Sequence, residues 1–162
     1  MNQQFTVNKA NVYKEVAKTT SYAGAKRMAS DASAYDRIRT LDEDRIMLER
    51  FWKEAGDAVI DLFKPFLVDV SDQSESHCYD LTGNFSITAD LPARYDDRLN
   101  GSVSSSLYHF FVYYVCGKWY EMTDNESAAN NLTMAQGLLD DVRGKIYYKK
   151  KPHREDPTST NP

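Results

Sequence analysis

The chain has 162 residues, of which 41% are hydrophobic and 12% aromatic, which is enough apolar material for the core of one domain. Its formal net charge of −4 is mild, so we do not expect the whole domain to bind nucleic acid electrostatically, although a local basic patch is compatible with it. Two cysteines in a chain of this length do not make a disulfide framework, and no apolar run resembles a signal peptide or a transmembrane span. We therefore expect a soluble, cytosolic protein without membrane contact.

The first 39 residues carry the weakest pattern of the chain. Four apolar side chains at helical spacing predict a short helix over residues 9–18. They are Val12, Tyr13, Val16 and Ala17. The next segment, residues 19–36, is rich in small residues and has no clear period, so we expect a loop or an arm that orders against a neighbouring molecule.

A capping motif and a broad apolar face predict the first long helix, over residues 41–64. Thr40 and Glu43 have the spacing of a capping box, in which each side chain satisfies a backbone N–H of the other residue. Pro65 ends this helix because proline lacks the backbone donor and disfavours helix at the residue before it. The face comprises Leu48, Phe51, Trp52, Ala55, Val59, Leu62 and Phe63.

A β-hairpin is predicted at about residues 66–89. Residues 66–70 suit one strand, and residues 84–89 alternate apolar and polar side chains as a half-exposed strand does. Turn-forming residues fill positions 71–76, and residues 78–81 could extend the second strand. Since an isolated hairpin is only marginally stable, we expect it to pack on the helices or to pair with another subunit.

Two further helices complete the predicted domain. One follows Pro92, starting near Ala93 or near Ser102 with a possible kink at Gly101, and ends at Trp119-Tyr120. The other covers residues 126–148. The predicted architecture is mainly α, a small bundle of three main helices with a β-hairpin insertion. It divides into an arm with a short helix (1–39), the helical domain (40–151) and a disordered tail (152–162).

The sequence shows no pattern that predicts catalysis or a cofactor. His109 and Cys116 lie about 10 Å apart along one helix, which is too far for a shared metal ion or a nucleophile–base pair, and we expect both in the core. The adjacent pairs Asp96-Asp97 and Asp140-Asp141 diverge on a helix, and no glycine-rich phosphate loop is present. We expect a non-enzyme with no cofactor, metal or small-molecule substrate. A concave pocket holding Cys116 or His109 beside a carboxylate would favour an enzyme instead.

Aromatic residues on the predicted helix that ends at Trp119-Tyr120 exceed what a three-helix core needs. Tyr108, Phe111, Tyr114 and Trp119 therefore predict core packing, a contact between subunits, or both together.

A basic cluster follows, with Tyr147 and Tyr148 interleaved. Cations at the end of a helix either complement its dipole and continue into solvent, or contact nucleic-acid phosphates or an acidic protein surface. The cluster consists of Arg143, Lys145, Lys149, Lys150, Lys151 and Arg154.

Residues 40–151 resemble the head–tail connector (adaptor) ring proteins of tailed bacteriophages. The likeness lies in the early capped helix, the proline-led helix that ends Gly117-Lys118-Trp119-Tyr120, the polar loop after it, and a final helix over residues 128–148. The chain is longer than most such adaptors, and the hairpin is not matched.

The resemblance implies a small helical subunit that forms a ring of about a dozen copies through head-to-tail contacts. Such a ring lies beneath the portal and joins capsid to tail around the DNA channel. The implied partners are further copies of the chain, portal and tail proteins, and non-specifically DNA. The implied location is the bacterial cytoplasm during assembly and then the virion. The alternative is a small helical nucleic-acid-binding or regulatory protein that uses the basic C-terminal segment.

Overall fold

The structure, a computed structural model, describes residues 1–72 and 83–152 and is mainly α-helical, as predicted. The described residues contain four long helices instead of three, because the N-terminal helix has 19 residues and extends well beyond the short helix predicted over residues 9–18. The strands are β1 (Asn2–Asn8), β2 (Leu67–Asp72) and β3 (Asn84–Asp90). The helices are α1 (Lys9–Arg27), α2 (Ala34–Ile38), α3 (Arg45–Phe63), α4 (Asn100–Thr123) and α5 (Asn125–Ile146).

The N-terminal residues form part of the domain core. The predicted helix over residues 9–18 is confirmed and continues further, so the prediction of a loop or arm is wrong for residues 19–27 and 34–36, whereas residues 28–33 do lie between helices. β1 pairs with β3 along its whole length, and the side chain of Asn8 caps α1 by accepting a hydrogen bond from the backbone N–H of Asn11 at 2.9 Å. α1 continues to Arg27. The lack of a side chain at Gly24 allows α2 to pack closely on α1. A Cβ at this position would lie only 2.9 Å from the Cα of Tyr35.

The sheet is antiparallel throughout, with the order β1-β3-β2. The two strands of the predicted hairpin are confirmed, and β1 is a third strand that was not predicted. Positions 71 and 72 belong to β2 instead of a turn, and the rest of the predicted turn and the extension over residues 78–81 lie outside the described residues. Phe85, Ile87 and Ala89 are buried against the helices, which confirms the alternation seen in the sequence.

The start of α3 differs in detail from the predicted capping box. The carboxylate of Asp44 accepts a hydrogen bond from the backbone N–H of Leu41 at 2.7 Å, one position later than the predicted pair. The hydroxyl of Thr40 lies 3.3 Å from that of Thr20 and so joins this segment to α1. A 3-10 turn over Asp42–Asp44 leads into α3, which ends directly before the turn that contains Pro65.

α4 is the central element of the core. It begins at Asn100, between the two predicted starts, passes through Gly101 without interruption and ends at Thr123. Phe111 on α4 packs against Trp52 of α3 and Phe85 of β3, with ring centroids 4.4 and 5.3 Å apart. Asp124 alone separates α4 from α5, so the two helices form a tight antiparallel pair. No helix among the described residues is long and apolar enough to cross a membrane.

Candidate functional site: the basic end of the molecule

The predicted basic cluster divides into a neutralised part and a part without ion pairs. On α5, Arg143 pairs with Asp140 at 3.3 Å, and Lys145 pairs with Asp141. Lys145 also donates to the hydroxyl of Ser106 at 2.9 Å. These contacts within and beside α5 hold both cations on its surface. Arg143 and Lys145 are therefore engaged in contacts within the chain that stabilise α5.

The lysines that follow α5 are arranged differently. Lys149, Lys150 and Lys151 are exposed, and none of them makes an ion pair with a described residue. The backbone N–H of Lys150 donates to the carbonyl oxygen of Arg94 at 3.1 Å, which fixes this segment beside the loop before α4. Arg154 lies outside the described residues.

Arg94 is a member of this site that the sequence did not reveal. Its side chain is exposed and has no ion-pair partner in the described part of the chain. A cleft of about 330 Å³ separates its loop from the C-terminal segment and is lined by Ala93, Arg94, Lys150, Lys151 and Pro152. The two segments are more than fifty positions apart in the sequence, so only the fold brings their cations together. Lys149 lines a neighbouring, smaller cleft, and we call Arg94, Lys149, Lys150 and Lys151 together the basic cleft.

Aromatic side chains border the basic cleft. Tyr147 and Tyr148 are about half exposed, and the ring of Tyr147 packs on Phe66 with centroids 5.6 Å apart. Both tyrosines line a second cleft of about 150 Å³ beside Pro92 and Tyr95. The site thus offers cations and aromatic faces on one surface.

One ordered ion pair supports the loop under the cleft. The guanidinium of Arg98 donates to both carboxylate oxygens of the buried Asp96, at 2.8 and 2.6 Å. These hydrogen bonds hold the pKa of Asp96 at about 2, below its ordinary value. The neighbouring carboxylate of Asp97 is exposed. The charge of Lys150 also lowers the pKa of Asp96, so this buried carboxylate lies within electrostatic reach of the basic cleft although it is not within ion-pair distance of Lys150.

Two of the four predicted interface aromatics lie inside the core. Phe111 is fully buried, and Trp119 is 7% exposed and donates its indole N–H to the carbonyl of Ile38 at 2.6 Å. Neither side chain is available to another molecule, so core packing is the alternative that applies to them.

The other two aromatics are half-buried, and their hydroxyls are engaged within the chain. Tyr108 donates to the carbonyl of Asn11 at 3.4 Å, and Tyr114 donates to Glu54 at 3.2 Å. Burial, followed by the nearby Glu54 carboxylate, raises the pKa of Tyr114 to about 12. The face of α4 that carries them is largely occupied by α1 and α3.

The structure does not bring Cys116 and His109 together as a nucleophile and base or as metal ligands. Cys116 is sealed in the core, where burial raises the pKa of its thiol to about 12, whereas His109 is exposed, contrary to the core position predicted for it. Within residues 1–72 and 83–152 no three His, Cys, Asp or Glu side chains are grouped to hold a metal ion. The adjacent His77 and Cys78, two further residue types that can ligate metals, fall outside these ranges.

An exposed strand edge is the second surface feature that the sequence did not reveal. β2 lies at one edge of the sheet, and no other described strand pairs with its outer side. Its register with β3 shifts between Leu67 and Asp69, a bulge at which Leu67 and Val68 are 38% and 54% exposed. β1 forms the opposite edge and begins with the polar run Asn2, Gln3 and Gln4.

The described residues define a mainly α-helical domain with a three-stranded antiparallel sheet, a basic cleft at one end and an apolar strand edge. No protein-family model, no curated protein and no solved structure matches this chain.

Proposed function

We propose that this protein is a structural subunit of the head–tail connector of a tailed bacteriophage or prophage, and that identical copies assemble side by side into a ring between portal and tail. The subunit is made in the bacterial cytoplasm, acts without a cofactor or catalytic step, and ends in the virion. The proposal starts from the resemblance of residues 40–151 to such adaptors.

The observation that carries the proposal is the pair of unlike sheet edges. A ring requires two different surfaces on each copy, because head-to-tail contacts join one surface to the other. An open strand edge with exposed apolar side chains is a template for pairing with another chain. β2 supplies this edge through Leu67 and Val68, which lie beside the exposed Asp69, and β1 supplies a polar one.

The direction of the strands fits rotational symmetry. β1 and β2 both run antiparallel to β3, so they run parallel to each other. A copy rotated about an axis along the strands therefore presents β1 to the β2 of its neighbour in parallel orientation. This contact adds backbone hydrogen bonds and covers Val68.

The test is native mass spectrometry with negative-stain imaging over a range of protein and salt concentrations. We expect closed oligomers that grow in population with concentration. Val68→Lys should abolish them, because a charged side chain on an edge strand opposes pairing. Ile46→Lys is the matched control, since Ile46 is 58% exposed on α3 and the charge change is the same. A chain that stays monomeric throughout, or equal behaviour of the two variants, contradicts the proposal.

A further inference from the structure

The basic cleft combines three features that a solvated helix end does not need. Its cations come from two distant segments, they line two neighbouring concavities, and they lack ion-pair partners among the described residues. Four cations held together repel each other, and the chain as a whole carries a net charge of −4. A local accumulation of cations on an otherwise acidic protein indicates an anionic partner.

We propose that the basic cleft binds the phosphate backbone of nucleic acid. Arg94, Lys149, Lys150 and Lys151 contact successive phosphates, and Tyr147 and Tyr148 contact sugars or bases beside them. Phosphate contacts carry no sequence information, so the binding is non-specific and depends strongly on salt.

The chemistry of the side chains favours a polyanion over a single small anion. The lysines are exposed, and each ammonium acts as a point charge. The residues that line the larger cleft are all exposed, so no buried donor is available there to bind a single phosphate group on several sides. The exposed tyrosines favour nucleic acid among polyanions, because aromatic faces stack on bases.

Arg143 and Lys145 provide an internal control for this assignment. They belong to the same basic run of the sequence, but Asp140 and Asp141 neutralise them on α5. Two double variants, Lys149→Gln/Lys150→Gln and Arg143→Gln/Lys145→Gln, change the formal charge by the same amount. If only net charge mattered, both would weaken binding equally.

The experiment is fluorescence anisotropy of the full chain with a labelled DNA duplex and with its single strand, titrated in salt. For four phosphate contacts on duplex DNA we expect the slope of log K against log salt to be roughly −3.6. The Lys149→Gln/Lys150→Gln variant should reduce the slope by about 1.8 and the affinity by about tenfold at low salt. Arg143→Gln/Lys145→Gln should stay within about twofold of the unmodified protein.

Two further variants extend the test. Arg94→Gln should weaken binding because it removes one cation of the basic cleft, although Arg94 lies outside the C-terminal run. The backbone carbonyl that accepts from Lys150 is retained, so the position of Lys150 should not change. Tyr148→Leu should weaken binding of the single strand more than of the duplex if bases stack on it.

The assignment is overturned if DNA does not bind at low salt, if binding is independent of salt, or if the two double variants lose affinity equally. The result does not depend on the proposed ring. Val68→Lys, which blocks the strand edge, should bind DNA as the unmodified monomer does, so loss of ring formation and loss of DNA binding are separate outcomes.

Discussion

The indole nitrogen of Trp119 donates a hydrogen bond to the main-chain carbonyl of Ile38, with 2.6 Å between the two atoms. Ile38 is the last residue of α2 and is fully buried, so its carbonyl needs a partner inside the protein. The bond thus joins the N-terminal helices to the end of α4. Arg37 reinforces the junction by donating to the carbonyl of Thr123 at 3.2 Å.

Replacing Trp119 with Phe should destabilise the fold. The substitution keeps an aromatic ring but leaves the carbonyl of Ile38 unsatisfied, which costs about 1 to 3 kcal/mol, and the smaller ring adds to the loss. Urea-induced unfolding followed by circular dichroism measures the change. Tyr148→Phe, at an exposed position, should remain within about 0.5 kcal/mol of the unmodified protein. Equal stability of both variants would show that the bond is unimportant.

The contact between α4 and α5 predicts opposite effects for two Gly→Ala substitutions. A Cβ at Gly117 would lie 2.7 Å from Cδ2 and 3.2 Å from the backbone nitrogen of Leu132, so Gly117→Ala must displace the Leu132 side chain and press on the backbone of α5. Such overpacking costs about 1 to 3 kcal/mol. Gly137 has nothing within 4 Å of the same point, and Gly137→Ala should stabilise α5 by about 1 kcal/mol through helix propensity alone.

Thermal unfolding of the two alanine variants checks the sign of each effect. A shift in the same direction for both would mean that α4 and α5 are not as close at Gly117 as the structure has them.

A buried ion pair fastens the start of α1 to α3. Lys9 is 1% exposed, and its ammonium lies 2.9 and 3.1 Å from the two carboxylate oxygens of Glu49. The ring of Trp52 lies 5.6 Å from the same nitrogen. A cation near a helix N-terminus interacts unfavourably with the helix dipole. The carboxylate of Glu49 and the ring of Trp52 compensate for this by stabilising the charge of Lys9.

Removing one partner of this pair should cost more than removing both. Lys9→Met leaves the carboxylate of Glu49 without its cation in a mostly buried site, which should destabilise the protein by about 3 kcal/mol. The double variant Lys9→Met/Glu49→Leu should regain most of that loss, because apolar side chains replace the pair. A double-mutant cycle in urea measures the coupling. Additive losses would contradict a direct interaction.

Three of the four long helices, α3, α4 and α5, could be predicted from the sequence because the evidence for each is local. The apolar face of α3 and the stop at Pro65 lie within one segment, and periodicity locates them. β1 could not be read in this way. Phe5 and Val7 are its only buried apolar positions, and Thr6 between them pairs with Ser86 of β3, eighty residues further along the chain. The small residues at the end of α1 were also misleading, since they pack on α2.

Part of the basic site could be predicted from the sequence. Asp140 and Asp141 stand three and four positions before Arg143 and Lys145, so their ion pairs follow from helical spacing alone. Arg94 enters the site through a single backbone hydrogen bond to Lys150, which no sequence pattern encodes. The sequence predicted only β2 and β3, so it did not show on which side of this pair a third strand would lie. Only the position of β1 beside β3 leaves β2 at the edge of the sheet.

The ion pair between Asp96 and Arg98 predicts a dependence of stability on acid. The hydrogen bonds from Arg98 lower the pKa of Asp96 to about 2 in the folded protein, whereas an unfolded aspartate titrates near 3.9. Between these values the unfolded chain binds more protons than the native one, so stability rises with pH. The contribution of Asp96 is complete above about pH 4 and is lost as the pH falls towards 2.

Asp96→Asn isolates this contribution from other carboxylates that titrate in the same range, such as Asp31 beside Arg37. We expect the variant to be less stable than the unmodified protein at neutral pH and the difference between the two to vanish near pH 2. Urea unfolding at intervals of pH measures that difference. Asp97→Asn removes an exposed carboxylate from the same turn and serves as the control. A difference for Asp96→Asn that stays constant from neutral pH to pH 2 would show that the carboxylate contributes through packing instead of through its charge.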